Sequence, residues 1–211
     1  QNSLAFAEKK IYDISNTSDT SEIVKISSII PDVMTKLDEL SKDKSKSRGI
    51  KTGYRGLDAL LNGVHESDLM ILAARPACGK TSFAMNLVEN IALQGYSCAA
   101  FSLEMSKEQL VQRLLCSTAN VSMEHALKGQ MDRSEWLKIA KAKEQLMNAR
   151  IYIDDSAMIT PNEVLSKCRR LKRKSGLDFI MVDYVQLMSP EKSKKDANRQ
   201  QEITEISRTL K

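Results

Sequence analysis

Long apolar runs are missing from these 211 residues: no stretch approaches the roughly 18 consecutive apolar residues of a membrane-spanning helix. No secretory leader is expected from the opening Gln1-Asn-Ser-Leu-Ala-Phe-Ala-Glu-Lys-Lys, which mixes charge into its apolar positions. Cysteine is sparse. Cys78, Cys98, Cys116 and Cys168 stand far apart with no C-x-x-C pair, which argues against a disulfide framework or a zinc site and fits a reducing cytoplasm. Three of them lie in apolar surroundings and read as core thiols; Cys78 does not. An initiating Met is absent and Thr209-Leu210-Lys211 falls inside a helical pattern, so the chain is expected to be a piece of something longer. What is present is ordinary for a soluble globular domain with extensions: 42% hydrophobic and 28% charged residues, with a net charge of +5. That mild basic bias permits a nucleic-acid partner without demanding one.

The most informative stretch is Ser67-Asp-Leu-Met-Ile-Leu-Ala-Ala-Arg-Pro-Ala-Cys-Gly-Lys-Thr-Ser-Phe-Ala-Met-Asn86. Leu69 to Ala74 reads as a short buried strand, and a break follows at Arg75-Pro76-Ala77-Cys78-Gly79. From Thr81 onward Phe83, Ala84, Leu87, Val88 and Ile91 recur at helical spacing. Strand, turn, Gly-Lys-Thr and helix is the required context of a phosphate loop. Backbone N–H groups from Ala77 to Ser82 and the positive end of the helix dipole would cradle an anion. Gly79 keeps a Cβ out of the way, Lys80 supplies charge for the outer phosphates, and Thr81 offers a hydroxyl to Mg²⁺. The first glycine of the usual pattern is absent, since position 74 is Ala; it served the turn and was not a ligand. Cys78, inside the loop, is either simply a small loop residue or a thiol whose alkylation would block nucleotide binding.

Along the chain, residues 1–48 read as a helical linker region, with one helix at about 3–15 and a second helical segment at about 21–41. A flexible loop follows over 42–48. The first helix has Leu4, Ala7, Ile11 and Ile14 on one face, which packs either on its own domain or on a neighbouring subunit. The second carries Pro31, expected to kink or break it. The globular domain is expected to span 49–211. It opens with a turn, a short helix through Leu57, Leu60 and Leu61, and a turn at Asn62-Gly63. Further strands are expected at 96–103, 151–153 and 179–182, the last apolar throughout and so covered on both faces. Ser106/Gln109, Asp132/Glu135 and Thr160/Glu163 form capping-box patterns before three helices, the last with Pro161 in its first turn. The middle helix carries the only Trp, Trp136, on a face compatible with Ile139 and Leu146. Strands alternating with helices give an α/β fold with a mainly parallel sheet flanked by helices.

Two acids end strands on the side where parallel sheets collect ligands. Asp183 closes Phe179–Val182 and would hold Mg²⁺ beside the Thr81 hydroxyl. Glu104 closes Ala99–Leu103 and is the best candidate to orient an attacking water; the alternative is a first-turn acid favoured by the helix dipole. Arg113 either reaches the nucleotide or is a solvated charge. The apolar-free loop from Ser189 to Arg199, with Lys192, Lys194, Lys195 and Arg199, either grips a phosphate backbone or is simply solvated.

Motif after motif resembles the bacterial replicative DNA helicase family, DnaB. The matching residues are Thr52-Gly-Tyr, Leu57-Asp, Asp68-Leu, Ala74-Arg-Pro-x-x-Gly-Lys-Thr81, Phe83-Ala-Met-Asn and Phe101-Ser-Leu-Glu-Met105. They continue with Cys168-Arg-Arg-Leu-Lys172, Val182-Asp-Tyr-x-Gln-Leu-Met188, Asn198-Arg-Gln-Gln-Glu-Ile and Ile206-Ser-Arg-x-Leu-Lys211. The likeness covers Gly49 to Lys211 and extends more weakly to the first helix, which resembles that family's linker helix. It implies a RecA-like ATPase domain, a homo-hexameric ring with ATP at subunit interfaces, and single-stranded DNA in the central channel. Under it Glu104 and Lys80 are catalytic, and Ala77, Cys78, Gly79, Lys80, Thr81, Ser82 and Arg113 bind ATP. Thr81 and Asp183 hold Mg²⁺, and Lys192, Lys194, Lys195 and Arg199 face DNA. Primase and a helicase loader would be met mostly through regions outside this chain, and no membrane is involved. The family's glutamine sensor, second DNA loop and arginine finger have no counterpart before position 211. The chain as given is therefore expected to bind ATP·Mg²⁺ but to hydrolyse it weakly, since a charge stabiliser donated in trans contributes about 10³–10⁵ in rate. The rival expectations are a RecA-type recombinase and an ATP-gated oligomerising module that does not unwind DNA.

Overall fold

The computed structural model describes residues 24–42, 49–75, 77–189 and 199–210. Contacts divide the chain between Ser47 and Arg48. The helix expected at 3–15 and the loop after Lys42 lie outside the described residues.

In the first unit α1 runs Ile26–Lys42 without interruption, Pro31 included. The break expected at Pro31 does not occur. Pro31 lies in the second turn, so its missing N–H leaves one early carbonyl, that of Ser27, without an intrahelical donor, and Ser27 is exposed to water. The stripe Ile26, Ile29, Ile30, Val33 and Leu37 is exposed along α1.

The second unit begins at a pinched turn. Ile50 bridges Val64 in antiparallel sense, and Gly49 and Gly63 pass so closely that a Cβ on Gly63 would meet the Gly49 carbonyl oxygen at 2.5 Å. Inside this turn lies α2, Arg55–Leu61. Fully buried Thr52 donates its N–H and its hydroxyl to Asp58 Oδ1, both at 2.7 Å. Burial alone would raise the Asp58 pKa, but these bonds hold the carboxyl below its ordinary value. Asn90 Nδ2 donates to the Thr52 carbonyl at 3.0 Å, and Tyr54 packs its ring on Phe83 with centroids 5.0 Å apart. Both Asn90 and Phe83 belong to α3, Lys80–Leu93, so the opening turn is tied to that helix.

Strands β1 (Cys98–Ser102), β2 (Ile151–Asp154) and β3 (Phe179–Asp183) form a parallel sheet in the order β2-β1-β3. Between β1 and β2 come α4 (Lys107–Ala119), α5 (Met123–Lys128) and α6 (Arg133–Asn148), and α7 (Pro161–Ser175) joins β2 to β3. A 3-10 turn, Val185–Leu187, follows β3, and α8 is Arg199–Leu210. All three expected capping boxes are present, at Ser106/Gln109, Asp132/Glu135 and Thr160/Glu163. The central strand alternates perfectly. Cys98 and Ala100 face Val88, Ile91, Leu110, Leu114 and Met181, whereas Ala99, Phe101 and Leu103 face Ile159, Val164, Cys168, Met188 and Ile206. Helices thus cover both faces of β1, which is why every one of its residues is small or apolar.

Two strand expectations fail. Leu69–Ala74 forms no strand; Leu69, Met70, Ile71 and Leu72 are exposed. An apolar run demands burial, but a strand exists only where a neighbouring ladder accepts its N–H and C=O groups, and among the described residues none pairs with this one. β3 is not covered on both faces throughout: it is an edge strand, and Ile180 is 45% exposed. Trp136 is 58% exposed, while Ile139 packs with Met131 on the small cluster of Ala119, Val121 and Ala142 beneath α6, and Leu146 packs on the main core. The core thiols are as expected. All four cysteines are free, with Cys98, Cys116 and Cys168 buried. Burial pushes the Cys98 thiol up to about 12 and Cys168 to about 11.

Candidate functional site

The start of α3 supplies the first half of the site. Gly79 is its N-cap with φ 82, a left-handed conformation that glycine adopts without strain. Open space lies where a Gly79 Cβ would point, so the visible reason for glycine is the backbone angle more than a close neighbour. Among the described residues no side chain caps this end. The first-turn N–H groups of α3 are therefore available to an anion, which the helix dipole favours. Ala77 also has positive φ, and Ala77, Cys78, Gly79 and Ser82 are exposed around the turn.

The second half comes from the sheet. Asp183 ends β3 opposite Ser102 in register and is 3% exposed. Each of its carboxylate oxygens has a partner from α3: Lys80 Nζ lies 3.0 Å from Oδ1, and the Thr81 hydroxyl donates to Oδ2 at 2.5 Å. Two adjacent residues thus meet a third that lies 102 positions further along the chain from Thr81. The donor set fits a hard divalent cation, because a hydroxyl and a carboxylate oxygen stand side by side. Lys80 beside them fits the phosphates that such a cation accompanies.

Glu104 lies just beyond β1, exposed, two residues past the Ser102 that pairs with Asp183. The turn that carries it is braced by buried Ser102, whose hydroxyl donates to the Met105 carbonyl at 2.8 Å and accepts the Met105 N–H at 3.1 Å. Glu104 is consequently on the same carboxyl-terminal rim as Asp183. Arg113 sits on α4, outside the set of side chains that Lys80, Thr81 and Asp183 bring together. Lys192, Lys194 and Lys195 lie outside the described residues. Arg199 opens α8, and its side chain is likewise outside them.

Sequence reasoning missed two contributors. Ser102 stood in the sequence as the small residue of Phe101-Ser-Leu-Glu-Met105, with no role assigned to it. Tyr184 places its ring 4.2 Å from Lys80 Nζ, and its sequence signal was its place directly after Asp183 in Val182-Asp-Tyr-x-Gln-Leu-Met188, with no role assigned to it.

Residues 49–211 match the family model described as "DnaB-like helicase C terminal domain". The chain is 42% identical over 209 residues to the Bacillus subtilis replicative DNA helicase DnaC and 40% identical over 206 residues to the Geobacillus stearothermophilus replicative DNA helicase DnaB. These alignments cover 99% and 97% of the chain but 46% and 45% of those proteins, so the chain spans about half their length. Among solved structures it resembles a DnaB-like replicative helicase described with its primase interactions, with TM-score 0.78, 27% identity, and coverage of 97% of this chain and 48% of that one. A second solved structure, described as an ATPase domain, gives TM-score 0.79 at 28% identity over 91% of this chain and 66% of that one.

Proposed function

The chain belongs to the family of DnaB-like replicative helicases, and from that premise we propose that residues 49–211 are the ATP-hydrolysing motor domain of a ring helicase. The observation that carries this reading is the convergence of Lys80 and Thr81 of α3 on the two oxygens of Asp183. In the proposed cycle the N–H groups from Ala77 to Ser82 bind the phosphates of ATP, and Lys80 turns its ammonium from Asp183 toward them. Thr81 and Asp183 hold Mg²⁺, which when bound neutralises charge on the phosphates. Glu104 orients the attacking water and accepts its proton. Arg113 contacts the nucleotide, and Lys192, Lys194, Lys195 and Arg199 follow the backbone of single-stranded DNA.

The ring is proposed to be a homo-hexamer with nucleotide between subunits. Its support on this chain is the exposed apolar stripe of α1, an amphipathic helix face of the kind that docks on a neighbouring protein. Primase and a loader are proposed to bind mainly through the rest of the full-length protein. No helix among the described residues is long and apolar enough to cross a membrane.

The deciding experiment uses the full-length protein with ATP and a forked DNA. Directional unwinding, lost in Lys80→Ala, together with single-strand binding that falls steeply with salt, is the expected result. Strand exchange without unwinding would replace this reading with a recombinase. ATP-dependent assembly with no salt-sensitive DNA affinity would replace it with an oligomerising module.

A further inference from the structure

Lys80 is gripped from two sides by consecutive residues. Asp183 Oδ1 lies 3.0 Å from its ammonium, and the ring of Tyr184 lies 4.2 Å from it, centroid to nitrogen. The two partners differ in kind. The carboxylate is the group that the proposed cycle gives to a divalent cation, and a carboxylate shared with a cation holds an ammonium less well. The aromatic face carries no formal charge and competes for neither metal nor phosphate, yet its quadrupole still attracts a cation.

The ring is also held in place. Tyr184 is half-buried with extended backbone (φ −129, ψ 152) at the head of the 3-10 turn Val185–Leu187. Its carbonyl accepts the Leu187 N–H at 3.0 Å, and Met188, 1% exposed, anchors the end of that turn in the core. Lys80 is at the first residue of α3, so its stem leaves a rigid element as well. Two fixed elements therefore set the ammonium over the ring.

We propose that Tyr184 is the positioning residue for Lys80: its aromatic face keeps the ammonium aimed at the phosphates once Asp183 has turned to Mg²⁺. This rests on the reading of Lys80 as a phosphate ligand. The ring acts through the lysine and touches no reacting atom.

The test measures the affinity of full-length protein for a fluorescent ATP analogue with Mg²⁺, alongside thermal melting as a folding control. Tyr184→Phe keeps the ring and is expected to bind as the parent does. Tyr184→Leu is expected to bind roughly 3- to 30-fold more weakly, the span of a cation–π contact between exposed and desolvated settings. Incorporating phenylalanines with one, two and three fluorines at position 184 holds shape nearly constant while draining the quadrupole. Affinity is expected to fall stepwise along that series. A flat series, or a folded Tyr184→Leu with parental affinity, overturns the proposal. Should the Leu variant fail to fold, the fluorinated series decides by itself. Lys80→Ala separates the two levels: if it retains parental affinity, the phosphate reading of Lys80 is wrong. If it loses affinity while the fluorinated series stays flat, only the role of Tyr184 falls.

Discussion

The backbone N–H of Leu103 donates to the carbonyl oxygen of Asp183 at 2.8 Å, which locks the ends of β1 and β3 side by side. Glu104 is the next residue after that bond. The acid proposed to orient water and the acid proposed to hold metal are thus carried by adjacent backbone on one rim, and each can be tested apart from the other.

Glu104→Gln keeps the size of the side chain and removes its basicity. Because Glu104 is exposed and outside the core, the variant should melt within about 0.5 kcal/mol of the parent. In the full-length protein, ATP binding should persist while hydrolysis falls by about 10²–10⁴, the range for a general base. Equilibrium binding and single-turnover hydrolysis check this together.

Asp183→Asn should do the reverse. It removes the ionic partner of Lys80 and one of the proposed metal oxygens, so the Mg²⁺ dependence of nucleotide binding should flatten. Titrating Mg²⁺ at fixed nucleotide reads the effect directly. A variant with unchanged Mg²⁺ affinity would remove Asp183 from the metal site.

Thr52→Val deletes the hydroxyl that donates to Asp58 while leaving the N–H donor. The same hydroxyl accepts the Tyr54 N–H at 3.3 Å, and its bond to Asp58 is to a charged group, so the loss should be about 1.5–3 kcal/mol. The pH dependence follows from the direction of the shift. Asp58 sits below its ordinary value of 3.8 in the folded chain, so its contribution is complete above that value and disappears as pH falls through the lower folded one. The difference between parent and Thr52→Val should therefore shrink on acidification below about 4. Chemical denaturation across that window checks both size and sign.

Cys78 is the one exposed thiol among four, and burial has pushed Cys98 and Cys168 well above the range where thiolate forms near neutrality. A small alkylating reagent should modify Cys78 first, identified by peptide mass, and should block nucleotide binding. Bound nucleotide should protect the thiol. Cys78→Ser should resist inactivation; equal sensitivity would show that another residue is responsible.

Leu114 is 4% exposed in the cluster between the sheet and α4, so Leu114→Ala should cost about 2–5 kcal/mol. For a domain of this size that corresponds to a fall in Tm of about 2–4 °C per kcal/mol, read by calorimetry.

Helices and their starts were legible in the sequence because the forces that set them are local. A Ser, Asp or Thr three residues before Gln or Glu finds its partners within one turn, and the boxes opening α4, α6 and α7 needed nothing else. The apolar character of β1 and the glycine before Lys80 were legible for the same reason, and so was the family likeness those motifs carry. The sheet's membership was decided elsewhere. Leu69–Ala74 and Phe179–Asp183 look alike as strings, yet one pairs and the other lies exposed, because pairing depends on which edge the folded chain offers. The meeting of Lys80, Thr81, Asp183 and Tyr184 is tertiary as well: α3 has to pack on β1 and β3 before an ammonium, a hydroxyl, a carboxylate and an aromatic face can share one point.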